Sequence, residues 1–286
     1  MNWKVTLLKM IGACMHPGMS SECLIKTFTA VLNGVGPRRE VALQNFKIAF
    51  PDSDEKQRCQ WVRQSYEHLI RMGAECIMLQ KDPRQVLEWV VRCRGEEWLE
   101  KAVASGKGAI IISGHVGNWE LGGSWIAQKG LAPITAIVRH SQDPKEKSLV
   151  DAMRNKLGVK TLSKDAPMTR AVNVLRKGEF VGILSDQHGG NAGISAPFLG
   201  LQTSTSPGAA VFAWLTGTPL IPIRAVRLAP CRFEIVISPP IEWTKGNDRD
   251  AAILDITTKI NQSVEEMVRA APGQWLCQHR RFREHY

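Results

Sequence analysis

Between residues 86 and 237, short β-branched runs alternate with amphipathic segments, and this alternation limits the fold more than any other feature of the chain. The runs at 86–92, 109–112, 134–138, 159–162, 180–184, 220–226 and 233–237 read as strands. Helix signals fill most of the intervals, at 96–104, 119–128, 144–157 (closed by Gly158), 167–177 and 207–215, and a last helix is expected over 250–268. Strands alternating with helices predict an α/β fold with a mostly parallel central sheet flanked by helices.

The first fifty residues differ, reading as short helices. Ser21 is placed to cap a segment with Leu24, Ile25, Phe28, Val31 and Leu32 on one broad face, and Pro37 opens a second with Arg38, Arg39 and Lys47 among Val41, Phe46 and Ile48. Apolar faces edged with cations suit a membrane interface, and equally suit packing on the rest of the protein. Asp52 and Glu55 read as a capping pair ahead of a long helix ending near Gln80. No run of about 18 apolar residues predicts a membrane-spanning helix. Ile11-Gly12-Ala13-Cys14 resembles a lipoprotein cleavage box, but Lys9 interrupts the apolar stretch before it, which is too short for a persuasive signal peptide. The expected organisation is a helical membrane-associating segment, 1–50, followed by a single α/β domain, 51–286.

The formal net charge of +10 calls for an anionic partner: nucleic acid, lipid headgroups or an acidic protein. Aromatic content of 7% and the lack of any RNP-like motif argue against nucleic acid. Seven scattered cysteines without a C-x-x-C pair read as free thiols in a reducing compartment. There is no G-x-S-x-G, H-E-x-x-H, P-loop or G-x-G-x-x-G, so serine-hydrolase, zinc and nucleotide chemistry have no motif here, and neither cofactor nor metal is expected.

The most informative stretch is SGHVGNWE, residues 113–120, directly after Ala109-Ile110-Ile111-Ile112. A buried strand ends there, Gly114 and Gly117 make a turn, and Asn118 caps a helix carrying Glu120 in its first turn. Residues five apart on one helix lie about 140° apart, so His115 and Glu120 meet only if the histidine sits in the turn. His115 would then stand at a strand C-terminus, where open α/β sheets bind ligands. The functional reading is Glu120 holding the imidazole tautomer while His115 takes a proton from a nucleophile. The plain alternative is a histidine at the edge of the core and a helix-start acid, without chemistry.

Other candidates fall at the same sheet end. Asp186, in Leu184-Ser185-Asp186-Gln187-His188-Gly189-Gly190, is placed to orient a basic residue or bind a substrate hydroxyl, or simply to cap a turn. Arg139 ends a strand and Arg154 lies on the following helix, both suited to an oxyanion or phosphate. In Thr203-Ser204-Thr205-Ser206-Pro207-Gly208, hydroxyls and free N–H groups at a helix start suit an anion, with Ser206 as cap and Pro207 at the first helical position. Gln278-His279-Arg280-Arg281-Phe282-Arg283 is a basic cluster suited to headgroups or phosphates.

Taken together, these segments resemble the late acyltransferases of bacterial lipid A biosynthesis, of the lauroyl and myristoyl transferase type, within the H-x4-D/E acyltransferases. The resemblance is carried, in order, by Arg38-Arg39, Asn45-Phe46 and Ala49-Phe50-Pro51; SGHVGNWE; Arg139; Arg154 through Gly158; Lys177-Gly178 leading to Asp186-Gln187; Ala196-Pro197-Phe198-Leu199-Gly200; TSPGAAVFAWLTGTPLIPI; and Gln274-Trp275-Leu276 with His279-Arg280-Arg281-Phe282. It implies a glycerolipid acyltransferase-like fold. The implied activity is transfer of an acyl chain from acyl carrier protein to a hydroxyl of a lipid A precursor or related phosphorylated glycolipid. The implied place is an anionic membrane surface, the cytoplasmic face of the bacterial inner membrane, with peripheral or monotopic attachment. By the same matching His115 is the base, Glu120 its paired acid and Arg154, with Arg139, the oxyanion partner. Asp186 belongs to the supporting polar network, and Asn118 and Ser206 join Arg139 and Asp186 as substrate-contacting residues. The sequence departs from the family in its short, interrupted apolar N-terminus and in His188, where the family often has another acid. Two other classes remain open: a non-catalytic lipid- or membrane-binding protein of this fold, and a thioesterase or lipase-like hydrolase.

Overall fold

The computed structural model describes residues 19–36 and 38–286; Lys9 and Ile11-Gly12-Ala13-Cys14 lie outside them. Helices α1 (Met19–Val35), α2 (Arg39–Ala49) and α3 (Glu55–Leu79) lead into the sheet. There follow α4 (Gln85–Trp89), β1 (Val90–Arg94), α5 (Glu96–Ala104), β2 (Ala109–Ser113), α6 (Trp119–Lys129), β3 (Ile134–Val138), α7 (Pro144–Lys156), β4 (Val159–Ser163), α8 (Met168–Arg176) and β5 (Phe180–Leu184). A hairpin of β6 (Ile194–Phe198) and β7 (Leu201–Thr205) precedes α9 (Gly208–Thr216), β8 (Leu220–Ala229), β9 (Arg232–Ile237) and α10 (Arg249–Ala270).

Seven strands form one sheet in the order β1-β9-β8-β2-β5-β3-β4, and all neighbours are parallel except β8 and β9. The expected mostly parallel sheet is thus present. β2 lies near its centre and is buried along its whole length. Its continuous apolar run is what a strand covered on both faces requires. Ile110 and Ile112 pack with Val181, Leu220 and α10; Ala109 and Ile111 pack on the other face with Leu121, Trp125 and Ile126 of α6.

Three sequence expectations shift. The run at 86–92 is split, since Gln85–Trp89 is a helical turn and the strand begins at Val90. The cap of α3 is Asp54, whose side chain accepts from Gln57 N, not Asp52. The hairpin β6/β7 lies in a stretch the alternation reading passed over. Residue 50 marks no break in packing: Ala42, Phe46 and Ala49 of α2 are buried in the same core as β2 and β5. α2 presents its apolar face inward, and Arg38 and Lys47 stay exposed at its rim.

Candidate active site

Parallel register builds the site. β2 and β5 are neighbours with Ser113 opposite Leu184, and Ser185 N donates to Ser113 O at 2.8 Å. Adjacent strands lie about 4.8 Å apart, so residues two positions beyond each strand end emerge side by side. These are His115 and Asp186. The His115 Nδ1 to Asp186 Oδ1 distance is 2.7 Å, and the indole N–H of Trp275 donates to Asp186 Oδ2 at 3.1 Å.

Asp186 is buried. Burial alone would raise its pKa, but the His115 imidazole, reinforced by the Trp275 indole, outweighs this and holds the carboxyl down to about 2. An ionised Asp186 suits a tautomer that donates from Nδ1–H and leaves a lone pair on Nε2. Its neighbour there is the Gln187 amide nitrogen at 3.5 Å. Among the described residues no serine, threonine or cysteine hydrogen-bonds to Nε2. The buried thiols are unsuited as nucleophiles: burial pushes Cys277 up to about 12 and Cys76 well above the usual thiol range.

The expected pairing of His115 with Glu120 is replaced by another. Glu120 receives Arg154 from α7, with Nε donating at 2.9 and 3.2 Å and Nη2 at 2.5 Å. Both side chains are largely buried, and although burial opposes the charged guanidinium, its bonds to Glu120 raise the Arg154 pKa. The physical reason is directional. Glu120 lies one residue into α6 and faces the helix connecting β3 and β4, whereas His115 faces along the sheet edge toward β5. The Trp119 ring packs edge-on against the His115 ring, with centroids 4.8 Å apart.

The remaining expected residues divide. Asn118 does cap α6, accepting from Leu121 N at 3.0 Å. Its amide nitrogen is spent on Glu75 Oε2 at 2.9 Å, and the side chain is fully buried, so it holds the turn and presents nothing to a substrate. Glu75 in turn binds Arg227, which also contacts His68. Ser206 is exposed, and Pro207, not Ser206, is the capping position of α9; no side-chain hydrogen bond caps that helix. Arg139 is exposed just past β3, while the adjacent His140 binds Asp151 at 3.1 Å. His188, near the dyad in sequence, is committed to Glu284 at 2.6 Å.

Between α6 and the sheet runs an apolar cavity of about 90 Å³. It exists because small residues face each other there: Gly122 and Gly123 on α6, Ala136 on β3, Gly182 on β5 and Ala225 on β8. Ser113, Trp119, Glu120, Leu184 and Arg154 line its upper end, at the strand C-termini, and Ile134 and Val159 line its lower end. Trp119 therefore touches both the base and the cavity. Sequence reasoning missed Trp275 and Gln187 as neighbours of the dyad; Trp275 entered only through the Gln274-Trp275-Leu276 motif. The cavity left a faint trace, in the Gly122-Gly123 pair inside an apolar helix.

Over 256 residues the chain is 27% identical to the lipid A biosynthesis palmitoleoyltransferase of Escherichia coli (strain K12), covering 86% of this chain and 79% of that one. It is 22% identical over 253 residues to the lipid A biosynthesis lauroyltransferase of the same organism, with the same two coverages. A phosphatidylinositol mannoside acyltransferase of Mycobacterium tuberculosis is 25% identical over 190 residues, 63% of this chain and 56% of that one. Residues 2–284, nearly the entire length and every element of the site, match a single family, so this chain belongs to the bacterial lipid A biosynthesis acyltransferases.

Proposed function

We propose that the protein transfers a fatty acyl chain from an acyl carrier protein thioester to a hydroxyl of a phosphorylated glycolipid, a lipid A precursor or a relative of one. The observation that carries this reading is a His–Asp dyad with no nucleophile bonded to it among the described residues, set beside an apolar cavity through Trp119. In the proposed reaction His115 Nε2 takes the proton of the acceptor hydroxyl as its oxygen attacks the thioester carbonyl. A C–O bond forms and the carbonyl oxygen takes the negative charge. Collapse of this oxyanion breaks the C–S bond, and the departing thiolate recovers the proton from His115. Asp186 keeps the imidazole in the required tautomer and stabilises the imidazolium. Arg154, held by Glu120 through Nε and Nη2 and lining the cavity, serves as the oxyanion partner. The acyl chain lies in the cavity between α6 and the sheet.

Attachment is assigned to a membrane surface. No helix among the described residues is long and apolar enough to cross a bilayer. α1 exposes Val31 and Val35, 54% and 75% accessible, near exposed Lys26 and Arg38. An apolar stripe with flanking cations suits peripheral binding to anionic lipid. The test uses purified protein on vesicles containing the acceptor, with acyl-carrier-protein and acyl-coenzyme A donors in parallel. Acylated glycolipid made from the carrier-protein donor and abolished by His115→Ala is the expected result. Free fatty acid as the sole product would instead make the protein a hydrolase. Vesicle binding without turnover would make it a lipid-binding protein.

A further inference from the structure

We propose that Trp275 is a positioning residue of the dyad, acting on His115 through the second oxygen of Asp186. This rests on the acyl-transfer reading and extends it to a residue outside the two strand ends. Asp186 has two oxygens in a buried site; His115 occupies Oδ1, and the Trp275 indole N–H occupies Oδ2 at 3.1 Å. An anionic oxygen left without a donor in such a place is costly, so the indole supports the carboxylate's charge as well as its orientation.

The chain around Trp275 is fastened in a way that serves this contact. The turn Pro272–Gln274 after α10 lays the following residues against the His115 loop. Gly117 N donates to Gln274 O at 3.0 Å, Leu276 N donates to His115 O at 2.8 Å, and Val116 and Trp275 form an isolated antiparallel bridge. Gln274 is fixed in turn, accepting from Arg227 N at 3.0 Å and donating to Arg227 O at 2.9 Å. The indole is fully buried and meets Phe46 of α2 edge-on, with centroids 5.8 Å apart and planes at 82°. Asn45, beside Phe46, donates to the carbonyls of Cys277 and His279, both at 2.6 Å. The backbone of the base and the donor to its partner acid therefore belong to one clamped unit.

Trp275→Phe keeps an aromatic ring against Phe46 and removes only the donor. Loss of a hydrogen bond to a charged group predicts a fall in kcat of about tenfold to a hundredfold, with KM little changed. It also predicts movement of the acid limb of the kcat/KM profile to higher pH, because a carboxylate with one donor fewer holds an imidazolium more tightly. Phe46→Leu disturbs the packing of the same indole without touching its N–H; it is expected to lower Tm and leave the acid limb in place. In the wild-type protein, the indole N–H proton resonance of Trp275, assigned through its contact with Phe46, is expected to titrate with the acid limb and to stop doing so in Asp186→Asn. An unmoved acid limb in Trp275→Phe overturns the proposal, as does an indole resonance indifferent to pH. The resonance experiment needs no acyl donor, so failure of the transfer reading and failure of this one are distinguishable.

Discussion

Asp186 and Glu120 both stand at the C-terminal edge of the sheet, both are largely buried, and each holds one base. Asp186 holds an imidazole, a group that can take up and release a proton, and Glu120 holds a guanidinium, which keeps its proton. The first pair can therefore move a proton, while the second can only fix a positive charge in place. The difference comes from position. Asp186 follows a strand in register with the strand before His115, and Glu120 opens a helix that faces α7. A site that needs both a base and a fixed cation takes one carboxylate for each, so the two acids are not interchangeable.

The largest effects should fall on the proton-moving pair. His115→Ala is expected to abolish transfer. Asp186→Asn, which keeps the shape and loses the charge, is expected to lower kcat by about 10³ to 10⁴-fold, the scale seen when a base loses its orienting acid. Glu120→Gln should act differently. It unpairs Arg154, with a stability loss of about 2 kcal/mol because the guanidinium stays largely buried. The expected fall in kcat is about 10 to 10²-fold, through a displaced Arg154. Circular-dichroism melts and steady-state kinetics on the three variants decide the matter. If Glu120→Gln were as inactive as Asp186→Asn and melted like wild type, the assignment of the two acids would be reversed.

The same contrast explains what was legible in the sequence. Strands and helices were readable because β-branched runs and caps are local, and the strand-end histidine was readable for the same reason. Which acid meets it was not, because β5 is brought beside β2 only by the sheet order, across 71 positions. Spacing favoured Glu120, five residues away, and tertiary register overrode it. Asn118 shows the opposite case: its capping role was local and correctly read, while its contact with Glu75, 43 residues earlier, removed it from the substrate face. The short helical turn at Gln85–Trp89 was hidden by a valine- and leucine-containing stretch that suits either state.

Acid titration sharpens the comparison on a smaller scale. Burial, with Arg227 nearby, holds His68 down to about 3, and burial holds His279 down to about 4, both below the ordinary histidine value of 6.5. The unfolded chain binds those protons first, so stability is complete above about pH 6.5 and falls as pH drops toward 4 and then 3. Asp186, held down to about 2 against an ordinary 3.8, adds a loss confined to the interval below about pH 4. Chemical denaturation across pH 3 to 7 should therefore show Asp186→Asn with a shallower loss of stability than wild type below about pH 4. A variant that lost stability below pH 4 as steeply as wild type would mean that the carboxylate does not carry the charge assigned to it.

The smallest effect tests the cavity lined by Trp119, Glu120 and Arg154. Gly122 sits in the interior of α6, where a Cβ would meet the Ala225 Cβ at 3.5 Å, an ordinary contact. Gly122→Ala therefore gains helix propensity without a clash and is expected to stabilise the fold by about 0.5–1 kcal/mol. The added methyl also enters the lining of a cavity of only about 90 Å³. With wild-type activity on short acyl donors, the variant should disfavour longer ones by several fold in kcat/KM, or about 1 kcal/mol, the lower end of what a methylene is worth in a fitted pocket. Gly123→Ala is the control, since its Cβ would press on Val159 Cγ2 at 3.3 Å and trade some of the stability gain for strain. If Gly122→Ala left donor preference untouched while raising Tm, the acyl chain would have to lie elsewhere, and Trp119 would be a wall of the base alone.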